Sequence, residues 1–84
     1  MTNSIFTERY NRFRLSLIET RIAKDLTQVD LANKLKRPQS FVSKYERGER
    51  RLDVVEFFEV ARALGIDPIE FLKQLYGTGT RDRS

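Results

Sequence analysis

The chain has 84 residues, contains neither cysteine nor histidine, and carries a net charge of +4. This length predicts one domain, and the missing cysteine excludes disulfides and cysteine-based metal sites. No apolar run approaches the roughly 20 residues of a membrane span, and the first ten residues lack the apolar core of a signal peptide. We therefore expect a cytoplasmic protein with no membrane partner.

The first predicted element is a helix that begins near Thr7, after a flexible leader of residues 1–6. Its apolar residues recur at three- and four-residue spacing, which is typical of an amphipathic helix; they are Tyr10, Phe13, Leu17 and Ile18. We expect this helix to end near Asp25, because aspartate tolerates the left-handed conformation that often stops a helix.

A second helix is predicted from Thr27 to about Leu35. The hydroxyl of Thr27 can accept a hydrogen bond from a free amide of the first turn, and Asp30 stabilises the positive helix end. Leu31, Ala32 and Leu35 form its expected buried side. A proline follows at position 38; since proline disfavours helix in the residue before it, the turn falls at Lys36 and Arg37.

The third helix therefore starts at Pro38 or Gln39 and ends at Gly48, with Val42 and Tyr45 facing inward. Asp53 and Glu56 have capping-box spacing and start a fourth helix that ends at Gly65. Its expected buried face consists of Val54, Phe57, Phe58, Ala61 and Leu64.

Asp67 and Pro68 start a fifth helix with Ile69, Leu72 and either Leu75 or Tyr76 on its apolar side. Residues 77–84 form a predicted disordered tail. No segment has strand-like alternation, so the pattern predicts an all-α domain over residues 7–76.

Charge is unevenly distributed along the chain. Residues 34–51 contain seven basic and two acidic residues, a net charge of +5, whereas residues 52–76 contain two basic and five acidic residues, a net charge of −3. A local basic patch is the electrostatic footprint expected for a polyanion partner. A charge run alone more often marks a solvated face, so the patch gains meaning from its position around the third helix.

Residues 26–48 have the layout of a helix-turn-helix that reads double-stranded DNA. In that motif the second helix lies in the major groove with its N-terminal residues at the base edges. Glutamine can bind adenine, serine can donate or accept, lysine can reach guanine, and an aromatic ring can contact a thymine methyl group. The predicted base-reading residues are Gln39, Ser40, Phe41, Ser43 and Lys44.

Candidate phosphate contacts surround this helix. Gln28 lies in the first turn of helix two, where its side chain and free amides can hold a phosphate oxygen; the competing interpretation is a capping role. The basic candidates are Arg37 in the turn and three arginines just after the third helix, Arg47, Arg50 and Arg51. For Arg50 and Arg51 the alternative is a solvated loop.

Several short motifs resemble the Cro/CI, or Xre, family of lambda-repressor-like DNA-binding domains. They are L-T-Q at 26–28, L-A at 31–32, Q-S-x-V-S-K-x-E-x-G at 39–48 and A-x-A-L-G at 61–65. The resemblance spans residues 11–76 and implies a compact five-helix fold in which helices two and three form the reading unit. It also implies a structural ion pair between Arg21 and Glu46.

Two positions depart from the family pattern. Asp25 stands where glycine is frequent, and Arg37-Pro38 stands where a small cap such as serine is frequent. We therefore expect a strained first connection and a third helix without a serine-type cap.

The leading hypothesis is a sequence-specific transcriptional regulator, such as a repressor, that binds a palindromic operator as a homodimer. One small monomer contacts few bases, and the expected interface lies on helix five: Ile69, Phe71, Leu72, Leu75 and Tyr76. The alternative interpretation of these residues is core packing. A second hypothesis is an antitoxin-type module with a protein partner. We predict no enzyme activity, catalytic residue, cofactor or metal, because histidine, cysteine and a phosphate-binding glycine loop are absent.

Overall fold

The computed structural model describes residues 7–77 and contains five helices and no strand in that range. They are α1 (Glu8–Ala23), α2 (Gln28–Leu35), α3 (Gln39–Arg47), α4 (Val54–Leu64) and α5 (Pro68–Tyr76). The all-α, five-helix prediction is confirmed. The expected leader, and all of the expected tail except Gly77, lie outside the described residues.

The helix starts follow the predicted capping residues. Thr27 and Asp30 form a reciprocal capping box in which the Asp30 amide donates to the Thr27 hydroxyl over 3.0 Å and the Thr27 amide donates to the Asp30 carboxylate over 2.9 Å. Asp53 and Glu56 form the same arrangement at the start of α4. Each box satisfies two amides that a helix start leaves without a partner.

The connections on either side of α2 use left-handed backbone at residues other than glycine. Asp25 has φ 63°, as its position at the end of α1 predicts, and Lys36 has φ 58° at the end of α2. The left-handed Lys36 was not predicted. Pro38 occupies the N-cap position of α3 without a side-chain capping bond, as expected from the missing serine-type cap.

The core is formed where α1, α2, α3 and α4 pack together. Leu17, Leu31, Val42 and Val60 are fully buried. An aromatic cluster extends the core toward α5, with ring centroids 5.2 Å apart for Phe13 and Phe57 and 5.8 Å apart for Phe57 and Phe71. In this packing α2 and α3 contact each other, α3 contacts α1, and α2 contacts α4.

The buried face of α4 differs from the predicted one. Phe57, Val60, Ala61 and Leu64 are buried, whereas Val54 is 72% exposed and Phe58 is 44% exposed. The buried residues follow a 3-1-3 spacing that keeps them on one side of a 3.6-residue turn. Phe58 lies about 100° around the helix from Phe57, and Val54 lies in the first turn; the prediction that both are buried was wrong.

Among residues 7–77, no helix is long and apolar enough to span a membrane.

Candidate nucleic-acid interface

Helix α3 has one side in the core and one side in solvent. Val42 and Tyr45 are almost completely buried, and burial raises the pKa of the Tyr45 phenol. On the opposite side Gln39, Ser40 and Lys44 are exposed, while Ser43 is partly buried. Four of the five predicted base-reading residues therefore share a solvent-facing side of one short helix.

A continuous series of side-chain hydrogen bonds links the first residue of α3 to α1. The Gln39 amide donates to the Gln28 side-chain oxygen over 3.1 Å, and the Gln28 amide donates to the Glu46 carboxylate over 2.9 Å. Arg21 donates to the same carboxylate through two nitrogens, over 2.7 and 3.0 Å. Because each residue is held by the next, the Gln39 side chain has a defined direction before any ligand arrives.

The Arg21–Glu46 ion pair is shielded from water. The Arg21 side chain is 13% exposed and the Glu46 side chain is 5% exposed. A third nitrogen of Arg21 donates to the carbonyl of Leu26 over 2.8 Å, and the hydrogen bond to Glu46 raises the pKa of Arg21 despite the opposing effect of burial. The pair thus ties α3 and the start of α2 to α1.

Arg14 is a second link between α1 and α3 that the sequence pattern did not reveal. Its guanidinium donates to the carbonyl of Glu46 and also to the side chain of Asn11, three residues earlier, over 3.4 Å. A cation near the last carbonyls of a helix is stabilised by the negative helix end. The 32-residue separation from Glu46 left no local signal for this contact.

Phe41 does not lie with the base-reading residues. Its side chain is 8% exposed, and its ring packs against Tyr45 at a centroid distance of 5.7 Å. The guanidinium groups of Arg37 and Arg50 lie 4.5 and 4.8 Å from the Phe41 ring centroid. The prediction of a thymine contact for Phe41 is therefore corrected, because position 41 is one turn before Tyr45 on the core side of α3.

Two of the predicted phosphate-contacting arginines bind carboxylates of α4. Arg37 and Glu59 are 3.0 Å apart. Arg50 makes a two-pronged contact with Glu56 at 2.7 and 2.8 Å, and the Arg50 hydrogen bonds lower the pKa of Glu56 to about 2. These contacts hold both guanidiniums beside the Phe41 ring of α3.

We expect Glu56→Gln to make stability less dependent on pH in acid. Since the pKa of Glu56 is about 2 in the fold and ordinarily 4.5, the ionised group stabilises the fold above pH about 4.5, and this contribution is lost as pH falls toward 2. Urea midpoints measured from pH 7 to pH 2 check this. Glutamine preserves the capping box but loses the charge contact with Arg50, so its cost at pH 7 should match the stability that the wild type loses through Glu56 on acidification, about 1–3 kcal/mol. Glu56→Ala also removes the cap and costs more. Equal slopes for wild type and Glu56→Gln would contradict this role.

The remaining two arginines differ in their partners. Arg47 lies 2.9 Å from the exposed carboxylate of Glu49 and also donates to the Ser43 hydroxyl. The guanidinium of Arg51 lies 4.4 Å from the ring centroid of Tyr10, and it has no acidic partner among residues 7–77. Arg51 is therefore oriented by an aromatic face and has no neutralising carboxylate within that range.

The residues predicted to form a dimer interface are only partly exposed. Ile69 is exposed, whereas Phe71, Leu72, Leu75 and Tyr76 are half-buried. Phe71 packs on Phe13 and Phe57. Tyr76 donates to the carbonyl of Arg9 over 2.8 Å, and the Arg9 guanidinium lies 4.7 Å from its ring centroid. Four of the five, all except Ile69, pack against the core and so already help to attach α5 to the rest of the domain.

Comparisons with known proteins agree with this arrangement. A helix-turn-helix family model matches residues 17–71. An XRE-family-like protein from Pseudomonas syringae pv. tomato has 50% sequence identity and a TM-score of 0.79, with 81% of this chain and 83% of that chain covered. The chain belongs to the Cro/CI (Xre) family of helix-turn-helix proteins. As a member, it is a DNA-binding transcription regulator.

A second solved structure has a similar fold to this Xre-family protein. A mutant of the restriction-modification controller protein C.Esp1396I has a TM-score of 0.76 and 22% identity, with 93% of this chain and 98% of that chain covered. The search of curated proteins gave no significant match. In the range 7–77, no cluster of acidic side chains suited to a metal ion is found.

Proposed function

We propose that this Xre-family protein is a sequence-specific regulator that inserts α3 into the major groove of an operator. The observation that carries this proposal is the exposed Gln39 side chain, held by Gln28 and through it by Glu46 and Arg21. A side chain fixed before binding loses less conformational freedom on binding. This supports a reading role for Gln39 over a merely solubilising one.

The proposed contacts divide by chemistry. Gln39 binds adenine through its amide, Lys44 binds guanine, and the hydroxyls of Ser40 and Ser43 donate or accept at neighbouring base edges. Phosphate oxygens are held by Gln28 at the start of α2 and by the four arginines around α3: Arg37, Arg47, Arg50 and Arg51. For three of the four arginines, phosphate binding competes with an existing carboxylate partner.

We further propose that two copies bind a palindromic site. A nine-residue helix reaches few base pairs, and two-fold dimers of helix-turn-helix proteins read half-sites about 34 Å apart. The exposed side chain of Ile69 is the best candidate for the centre of a contact through α5, with Phe71, Leu72, Leu75 and Tyr76 around it.

Selection of bound sequences from a random DNA pool tests this proposal. The expected result is a palindromic consensus, with two protein chains per duplex by sedimentation. Binding that is salt-sensitive but equal for all sequences would overturn it. A tightly bound protein partner during purification, with no selected consensus, would favour the antitoxin-type alternative.

Arg51→Ala separates phosphate binding from base reading. We expect weaker binding to every sequence alike, and a slope of log affinity against log salt that is smaller by about 2, or about 1 for each of the two bound copies. Fluorescence anisotropy at four salt concentrations measures both quantities. Lys73→Gln on α5 removes an exposed cation whose weak carboxylate contact lies within α5, and it should leave the slope unchanged. A loss confined to particular sequences would show that Arg51 contacts bases.

A further inference from the structure

A groove of ≈ 690 Å³ lies between the C-terminal end of α2 and the outer side of α4. Its apolar lining comes from both helices: Leu35, Val55, Phe58 and Ala63. Val55 is 66% exposed, and it stands one helical turn from Phe58 on α4. The edge-to-face contact of Phe58 with Phe57, at a centroid distance of 5.8 Å, fixes the exposed ring against the core.

Basic side chains surround this apolar floor. Lys34, Lys36, Arg37 and Arg62 line the groove, and Glu59 is its one acidic lining residue. Glu59 is already bound to Arg37. Across the described residues 7–77, Lys34, Lys36 and Arg62 have no ion-pair partner. The groove therefore combines an apolar floor with three cations that form no ion pair in the described range.

DNA is a poor match for this combination. The proposed base-reading residues of α3 do not line the groove, and a phosphate backbone satisfies cations but offers nothing to cover Val55 and Phe58. An adjoining pair of exposed apolar side chains framed by polar ones is typical of a protein contact. Carboxylates beside apolar side chains complement both parts of the groove.

We propose that this groove binds an acidic amphipathic helix of a partner protein. The apolar side of that helix packs on Val55 and Phe58, and its carboxylates pair with Lys34, Lys36 and Arg62. Helix-in-groove binding uses anchors at i, i+3, i+4 and i+7, and a cleft between two helices is suited to it. The proposal does not depend on the base contacts of α3, because no base-reading residue lines the groove and, of the proposed phosphate contacts, only Arg37 does.

Titration of the 15N-labelled full chain with a designed peptide tests the proposal. The probe is a helical peptide of roughly 18 residues with leucine at the four anchor positions, glutamate beside them and alanine at the remaining positions; a control peptide has lysine in place of glutamate. We expect saturable amide shifts centred on Leu35, Val55, Phe58 and Ala63, and no saturable shifts with the control peptide.

Two substitutions at exposed groove residues, with a third as control, test the proposal without altering the core. Arg62→Glu alters an exposed charge and should weaken peptide binding at least tenfold, or about 1.4 kcal/mol. Phe58→Ala should weaken it similarly, whereas Val29→Ala, an exposed apolar residue outside the groove, should have no effect. Equal binding of both peptides, shifts centred elsewhere, or no shifts would overturn the proposal. So would groove shifts caused by protein concentration alone or by a random-sequence duplex, which would assign the groove to a second copy or to DNA.

Discussion

We expect Glu46→Ala to lower the free energy of unfolding by about 3–5 kcal/mol. The Glu46 carboxylate is 5% exposed and accepts hydrogen bonds from Arg21 and Gln28. Its removal leaves the shielded Arg21 guanidinium without its charge partner and the Gln28 amide without an acceptor. Such a loss is a large part of the about 5–15 kcal/mol that holds a typical domain folded. Urea denaturation monitored by circular dichroism measures it.

Glu49→Ala is the matched control, because Glu49 also pairs with an arginine but with about half of each side chain exposed. An exposed pair contributes below about 1 kcal/mol, so this variant should unfold nearly like the wild type. A double-mutant cycle with Arg21→Ala isolates the interaction between Arg21 and Glu46. Zero coupling, or equal effects of Glu46→Ala and Glu49→Ala, would contradict the bracing role of the pair.

Gln39→Ala should remove the preference for one base pair in each half-site. A good two-pronged contact contributes about 1–3 kcal/mol of discrimination against the wrong base, which is roughly 5- to 150-fold in affinity. Affinities for the selected operator and for duplexes with single base-pair changes measure this loss. Because Gln39 is exposed, the variant should remain as stable as the wild type.

Gln74→Ala is the matched control for this variant, since Gln74 is an exposed glutamine on α5. It should retain the discrimination of the wild type at every position. Gln28→Ala should blur the same base preference as Gln39→Ala, but less strongly, because it removes the support of the Gln39 amide and leaves the reading group in place. It should also weaken binding to every duplex, because it removes a proposed phosphate contact. If Gln39→Ala weakened all duplexes equally, Gln39 would be a backbone contact.

The helices could be predicted because the residues that start and stop them form local patterns in the sequence. Thr27 with Asp30, and Asp53 with Glu56, stand at fixed three-residue spacing, so the capping contacts follow from the chain alone. Gly48 ends α3 in the left-handed conformation that its type favours. The left-handed Lys36 was missed, because lysine carries no preference for that conformation.

Contacts between distant segments account for what the sequence did not predict. Arg37 and Arg50 lie against the Phe41 ring, and those arginines are placed by Glu59 and Glu56 on α4. The spacing of Phe41 and Tyr45 indicates the core side of α3, but no pattern within α3 reveals these arginine contacts. Whether Phe58 is exposed likewise depends on which side of α4 the neighbouring helices cover.

The Arg21–Glu46 pair illustrates a third source of information. The two residues are 25 positions apart, and the resemblance to the Xre family was the reason to expect their pairing. Neither periodicity nor charge pattern distinguishes Arg21 from an ordinary surface arginine. The further link through Gln28 to Gln39 emerged only from the structure.

Intermolecular nuclear Overhauser effects between the protein and its selected operator test the reading role of α3 most directly. The proposed function predicts contacts from the side chains of Gln39, Ser43 and Lys44 to major-groove protons, such as cytosine H5 and thymine methyl groups. It also predicts none from α4 or α5. Major-groove contacts arising from another helix, with none from α3, would contradict the account.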